Sequence, residues 1–152
     1  MIDDDLVVAQ ARALFEGEGD AIANAANLSA LIFMTFLDVN WAGFYFVRDG
    51  ELVLGPFQGK PACVRIARGN GVCGTAWERR ETLVVPDVHA FPGHIACDSA
   101  SASEVVIPLI SGAGVIIGVL DIDSPRRDRF DENDVRTLEA LAKAYLDTTP
   151  AL

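Results

Sequence analysis

Strand-period alternation interrupted by a turn signal occurs twice in this chain of 152 residues and constrains its fold more than any other feature. In WAGFYFVRDGELVL, Trp41, Tyr45 and Val47 alternate with Phe44 and Phe46, and Asp49-Gly50 is a strong hairpin signal. EVVIPLI and VIIGVLDI repeat the arrangement around Ser111-Gly112-Ala113-Gly114. Two antiparallel hairpins follow. A further short strand is expected from Cys63 to Ile66, and another over LVVPDV, residues 83–88. Between them, Gly69-Asn70-Gly71 turns the chain into a short helix from Val72 to Arg79.

Helical spacing marks the two ends. From Asp4 to Phe15 the stripe is Val7, Ala11 and Leu14, stopped by Gly17-Glu18-Gly19. A second helix, from about Asp20 to Leu37, places Ile22, Ala25, Ser29, Ile32 and Phe36 on one face, with Leu28 and Leu31 beside it. The last helix has Asp131 as its expected N-cap, a Phe130–Val135 staple, and a buried face of Val135, Leu138, Ala142 and Tyr145. The expected fold is α+β: one domain over residues 1–152, an antiparallel sheet of about six strands with helices packed on one face.

The composition, 51% hydrophobic and 22% charged, supports a packed core. A net charge of −10 repels phosphate backbones and anionic lipid, so neither nucleic acid nor membrane is an expected partner. The N-terminal MIDDDLVVAQARALFEGEG has early acids and no basic region, unlike a signal peptide. The most apolar stretch, Ala21 to Val39, is broken by Asn24, Asn27, Ser29, Thr35 and Asp38, as in a buried or amphipathic helix. A cytoplasmic location, where thiols stay reduced, is the expectation.

Three cysteines, Cys63, Cys73 and Cys97, then stand for packing, metal or redox chemistry rather than a disulfide framework. They form no CxxC pair. A zinc site would need His89 and His94 beside Cys97, a weak spacing, and no metal is expected. Cys73, between glycines at a helix start, fits a packing role. Cys97 lies in the loop from His89 to Ser103, which has no apolar periodicity, and a loop gives a reactive thiol access. Glu104 opens the next strand, and Asp121 and Asp123 end the one after, on one face by period two. Asp121 and Asp123 either mark the strand's exit into solvent or hold an ammonium and share a proton. No Lys or Arg occurs between Arg80 and Arg126, so thiolate at Cys97 should be scarce until a cationic substrate arrives. GNGVCGTA has the glycines of a phosphate loop without a parallel βαβ context, and no nucleophile-elbow motif occurs.

GPFQGKPACVRIARGNGVCGTAWERRETLVVPDVHAFPGHIACDSASASEVVIPL, with NWAGFYF before it and GVLDIDSP after it, closely resembles the free methionine-(R)-sulfoxide reductases, a catalytic branch of the GAF superfamily. The resemblance implies a single GAF-type domain and an oxidoreductase with a thiol mechanism, linked to oxidative stress. In that pattern Cys97 is the nucleophile that attacks the sulfoxide sulfur and becomes a sulfenic acid. Cys63 is the resolving cysteine that forms a redox-active disulfide, recycled by thioredoxin, and Cys73 is auxiliary at most. Glu104, Asp121 and Asp123 correspond to substrate-site acids that bind the amino group of free methionine sulfoxide and polarise its oxygen. Trp41 and Tyr45 correspond to an aromatic wall, and backbone N–H groups at Ile95, Ala96 and Cys97 to the holder of the substrate carboxylate. No bound cofactor, a preference for the R epimer and a homodimer are also implied. The alternative is a GAF module that senses a small ligand without turning it over. The chain's end soon after its last helix, with no output domain, weighs against that alternative.

Overall fold

A computed structural model describes residues 3–94 and 100–149. Helices α1 (Asp4–Phe15) and α2 (Ala21–Thr35) lead into strands β1 (Trp41–Arg48), β2 (Glu51–Gly59) and β3 (Arg65–Ala67). Helix α3 (Gly71–Arg79), strand β4 (Leu83–Val85), a single 3-10 turn (Val88–Ala90), strands β5 (Ser103–Ile110) and β6 (Ile116–Ser124) and helix α4 (Glu132–Thr148) complete the order. The six strands form one antiparallel sheet in the order β3-β2-β1-β6-β5-β4. Each expected hairpin is present, and β1 pairs with β6 to join them at the centre. Asp49 and Gly50 both have positive φ, 50° and 83°, the backbone twist that a two-residue hairpin turn demands.

The two faces of the sheet bury different things. Ala42, Phe44 and Phe46 of β1, Val105, Ile107 and Leu109 of β5, and Leu120 and Ile122 of β6 pack with α1, α2 and α4. The α+β expectation of helices over one face describes these three long helices. The short α3 lies against the other face, where Cys73, Ala76 and Trp77 meet Trp41, Tyr45, Val106 and Val119. Caps fix the long helices: Asp3 accepts from the Leu6 N–H, Asp20 from the Ala23 N–H, and Asp131 forms a capping box with Asp134.

Local boundaries differ from expectation for physical reasons. On α1 the buried stripe is Val7, Ala11 and Phe15, while Leu14 is 44% exposed. Ile22 is 50% exposed, and the inward face of α2 is carried by Ala25, Leu28, Ser29 and Ile32. Val135 is only half-buried, and Leu141 and Ala144 join Leu138, Ala142 and Tyr145 inside. Pro86, which has no N–H for the ladder, follows the last residue of β4; Asp87 then caps the 3-10 turn by accepting from the His89 N–H. Strand β3 starts at Arg65, two residues later than expected, although the Leu54 N–H still donates to the Val64 carbonyl at 2.9 Å. Among the described residues, no helix is long and apolar enough to cross a membrane.

Candidate functional site

Register places the acids. Trp41 of β1 pairs with Asp123 of β6, which pairs in turn with Glu104 of β5, so the three lie in one row across neighbouring strands. One pleat further in, the row is Gly43, Asp121 and Val106. Period two turns Trp41, Tyr45, Glu104, Asp121 and Asp123 to the same face, the one that α3 covers. Gly43 is required at this spot. A Cβ there would collide with the Cβ of Phe57 and stand 2.9 Å from the Trp41 ring.

Helix α3 brings Cys73 down onto this row. Its Sγ lies 3.9 Å from Oε2 of Glu104, the geometry of a weak S–H donor to a carboxylate. Cys73, Glu104 and Asp121 are 5%, 8% and 5% exposed, while Asp123 at the mouth is half-buried. Oδ1 of Asp121 is buried without a hydrogen-bond partner. Burial, and then the charge of Asp121, pushes the Glu104 carboxyl well above its usual range. Burial, and then Asp123, does the same to Asp121. The Cys73 thiol is raised by burial first and by Asp121 and Glu104 next, so it is neutral in this setting. The cluster therefore holds protons that a solvent-exposed set of acids would release.

An aromatic wall stands beside it. Trp41 stacks on Phe57 with ring centroids 5.2 Å apart and on Tyr45 at 5.9 Å. The Trp41 Nε1–H donates to the Lys60 carbonyl at 3.1 Å, and the Tyr45 hydroxyl donates to the Cys63 carbonyl at 2.9 Å. Burial, then Asp121, keeps the Tyr45 hydroxyl protonated. The wall thus fixes the segment from Lys60 to Cys63, whose Pro61 and Ala62 line the pocket with His94, Ser101 and the Asn70–Gly71–Val72 entry to α3. Among the described residues, no Lys or Arg lines it. The His94 imidazole, its pKa lowered by burial and then by His89, favours the neutral form.

Glu104, Asp121, Asp123, Trp41, Tyr45 and Cys73 are thus brought together. Of the two acids read as a strand's exit into solvent, Asp121 is buried and Asp123 is half-buried. Cys63 is half-buried and disulfide-bonded, and Cys73 is a free thiol. Cys97, Ile95 and Ala96 lie outside the described residues, while His94 before that segment and Ser101 after it both line the pocket. The contact of Cys73 with Glu104 escapes a packing-only reading of that cysteine. Its signal in the sequence is the Gly69-Asn70-Gly71 turn, which starts α3 beside the strands. The zinc reading of His89 and His94 beside Cys97 falls partly outside the described residues; the two imidazole ring centroids are 6.2 Å apart.

The chain is similar to known proteins over most of its length. Residues 24–145 match the model of the GAF domain family. The chain is 57% identical to Protein YtsP of Bacillus subtilis, over 93% of this chain and 87% of that protein. It is 54% identical to the free methionine-R-sulfoxide reductase of Escherichia coli, over 90% of this chain and 84% of that one. Its fold superposes with a TM-score of 0.89 on free methionine-R-sulfoxide reductase from Neisseria meningitidis in complex with its substrate. That pair is 47% identical, covering 93% of this chain and 85% of the other.

Proposed function

The chain belongs to the GAF-domain family of free methionine-R-sulfoxide reductases, and from that membership we propose that it reduces free methionine R-sulfoxide to methionine with its own thiols. The observation that carries the reading is the buried acid cluster beside an aromatic wall, in a pocket that no Lys or Arg lines among the described residues. A free amino acid brings an ammonium that compensates such acids, and the stacked Trp41 and Tyr45 suit its apolar methyl-sulfur end. The unpartnered Oδ1 of Asp121 and the half-buried Asp123 are the acceptors for the ammonium. The raised carboxyl of Glu104 is a proton donor for the sulfoxide oxygen, a poor leaving group unless protonated.

In this mechanism the Cys97 thiolate attacks the sulfoxide sulfur, the oxygen passes to the cysteine as a sulfenic acid, and methionine leaves. The Cys63 thiol then attacks that sulfur and expels water, leaving a disulfide. Two thiols and a sulfoxide become a disulfide, a thioether and water, and thioredoxin restores the thiols. A Cys63 engaged in a disulfide, with Cys73 free, supports Cys63 rather than Cys73 as a member of the redox pair. Cys73 is auxiliary, acting through Glu104. Backbone N–H groups at Ile95, Ala96 and Cys97 hold the substrate carboxylate. One catalytic domain over residues 1–152, working in a reducing cytoplasm as a homodimer without a bound cofactor, completes the proposal.

The test follows NADPH consumption through thioredoxin reductase and thioredoxin. Free methionine R-sulfoxide should turn over, and the S epimer should not. An N-acetylated, C-amidated methionine sulfoxide, which lacks the ammonium, should lose roughly ten- to a hundredfold in affinity, matching one charge-assisted contact. Binding of the free amino acid with no NADPH consumption would instead make the domain a sensor.

A further inference from the structure

Cys73, Glu104 and Asp121 place one sulfur and two carboxylates at the floor of the pocket, with one donor atom from each within 4.8 Å of the others. All three side chains are at least nine-tenths buried. One oxygen of Asp121, Oδ1, is buried and accepts no hydrogen bond, so the cluster has an unused acceptor. The reductase reading gives the acids a task but leaves the sulfur of Cys73 without a direct one. We propose that Cys73, Glu104 and Asp121 form a binding site for a thiophilic divalent cation of the zinc class, which occupies the pocket in place of substrate.

The donor set selects the ion. A thiolate with carboxylates suits a borderline or soft metal, whereas magnesium or calcium gains nothing from sulfur. Zinc holds sulfur at about 2.3 Å and carboxylate oxygen at about 2.0–2.2 Å, so tetrahedral donors stand about 3.5 Å apart. The present separation of Cys73 Sγ from Glu104 Oε2 is 3.9 Å, so a small side-chain adjustment closes it. On binding, the thiol releases its proton, as do whichever of the two carboxyls are protonated. Asp123, half-buried at the mouth, or a water completes the coordination. With no Lys or Arg among the described residues lining the pocket, the metal is the counter-charge in the absence of an ammonium. Occlusion of the substrate rests on the site reading above; cation binding itself does not.

The experiment uses the full chain carrying Cys63→Ser and Cys97→Ser, so that Cys73 is its one thiol. Titration with Cd2+ should raise a thiolate-to-metal charge-transfer band that saturates at one equivalent, reverses with EDTA, is displaced by Zn2+ and ignores Mg2+. Adding Asp121→Asn should weaken Cd2+ binding by about tenfold or more, with circular dichroism unchanged. A further Cys73→Ser should abolish the band. Absence of the band, or a band indifferent to Asp121→Asn, would overturn the site. Saturating methionine sulfoxide should raise the apparent Kd for Cd2+. If the sulfoxide fails to compete although the wild-type enzyme turns it over, the overlap with substrate is refuted. If Cd2+ binds while the wild type shows no reductase activity, the site stands and the reductase reading falls.

Discussion

Glu104 stands opposite Asp123 across β5 and β6, and Asp121 sits one pleat inward. Like charges opposed on neighbouring strands destabilise a sheet, and burial adds to that cost. Both Glu104 and Asp121 respond by holding protons above their ordinary values of 4.5 and 3.8. The consequence for stability has a definite sign. Above the ordinary carboxylate range the folded state binds more protons than the unfolded one, so stability falls as pH rises. This contribution is fully present below those ordinary values and is lost as pH climbs through the raised ones. Melting followed by circular dichroism should therefore show Tm decreasing from about pH 4 towards neutrality, with a shallower decrease in Asp121→Asn. At neutral pH that variant should melt above the wild type while its kcat/KM falls roughly ten- to a hundredfold, the loss expected from one charged contact. A variant that lost activity and stability together would make Asp121 a structural support instead.

At the scale of elements, strand period and turn chemistry made both hairpins legible, Asp49-Gly50 closing the first and Ser111-Gly112-Ala113-Gly114 the second. The long helices were equally legible from stripe and cap, Asp131 of α4 above all. Their exact inward faces were not, since the way α1 packs on α4 and α2 meets the sheet decides whether Leu14 or Phe15, and Ile22 or Ala25, turns inside. Leu28→Ala, a truncation in the buried face of α2, should cost about 2–5 kcal/mol in urea unfolding. Ile22→Ala, at a half-exposed position, should cost under about 1 kcal/mol. Equal losses would mean that α2 is rotated from the packing described. The placement of α3 on the face opposite the long helices was not legible either. It depends on how β5 and β6 pair with β1 across the length of the chain, and so does the meeting of Cys73 with Glu104. The three acids themselves were visible from spacing, but their burial was not, because strand-end acids look the same whether covered or solvated.

Over the whole molecule, the sheet works as a frame that brings the ends of three strands to one place. The aromatic wall then ties the Lys60–Cys63 segment to that place through Trp41 and Tyr45. The long helices supply the core on the far face and take no part in the pocket. On the proposed mechanism, catalysis on such a frame depends on two thiols with unequal tasks: Cys97 meeting substrate and Cys63 resolving the product. The decisive measurement is methionine released per chain from reduced enzyme and methionine R-sulfoxide without any reductant, with mass spectrometry of the protein afterwards. Wild type should release about one methionine and end as a disulfide. Cys63→Ser should release about one and end as a sulfenic acid, and Cys97→Ser should release none. A full burst from Cys97→Ser would contradict the account, and a burst lost only in Cys63→Ser would exchange the two roles.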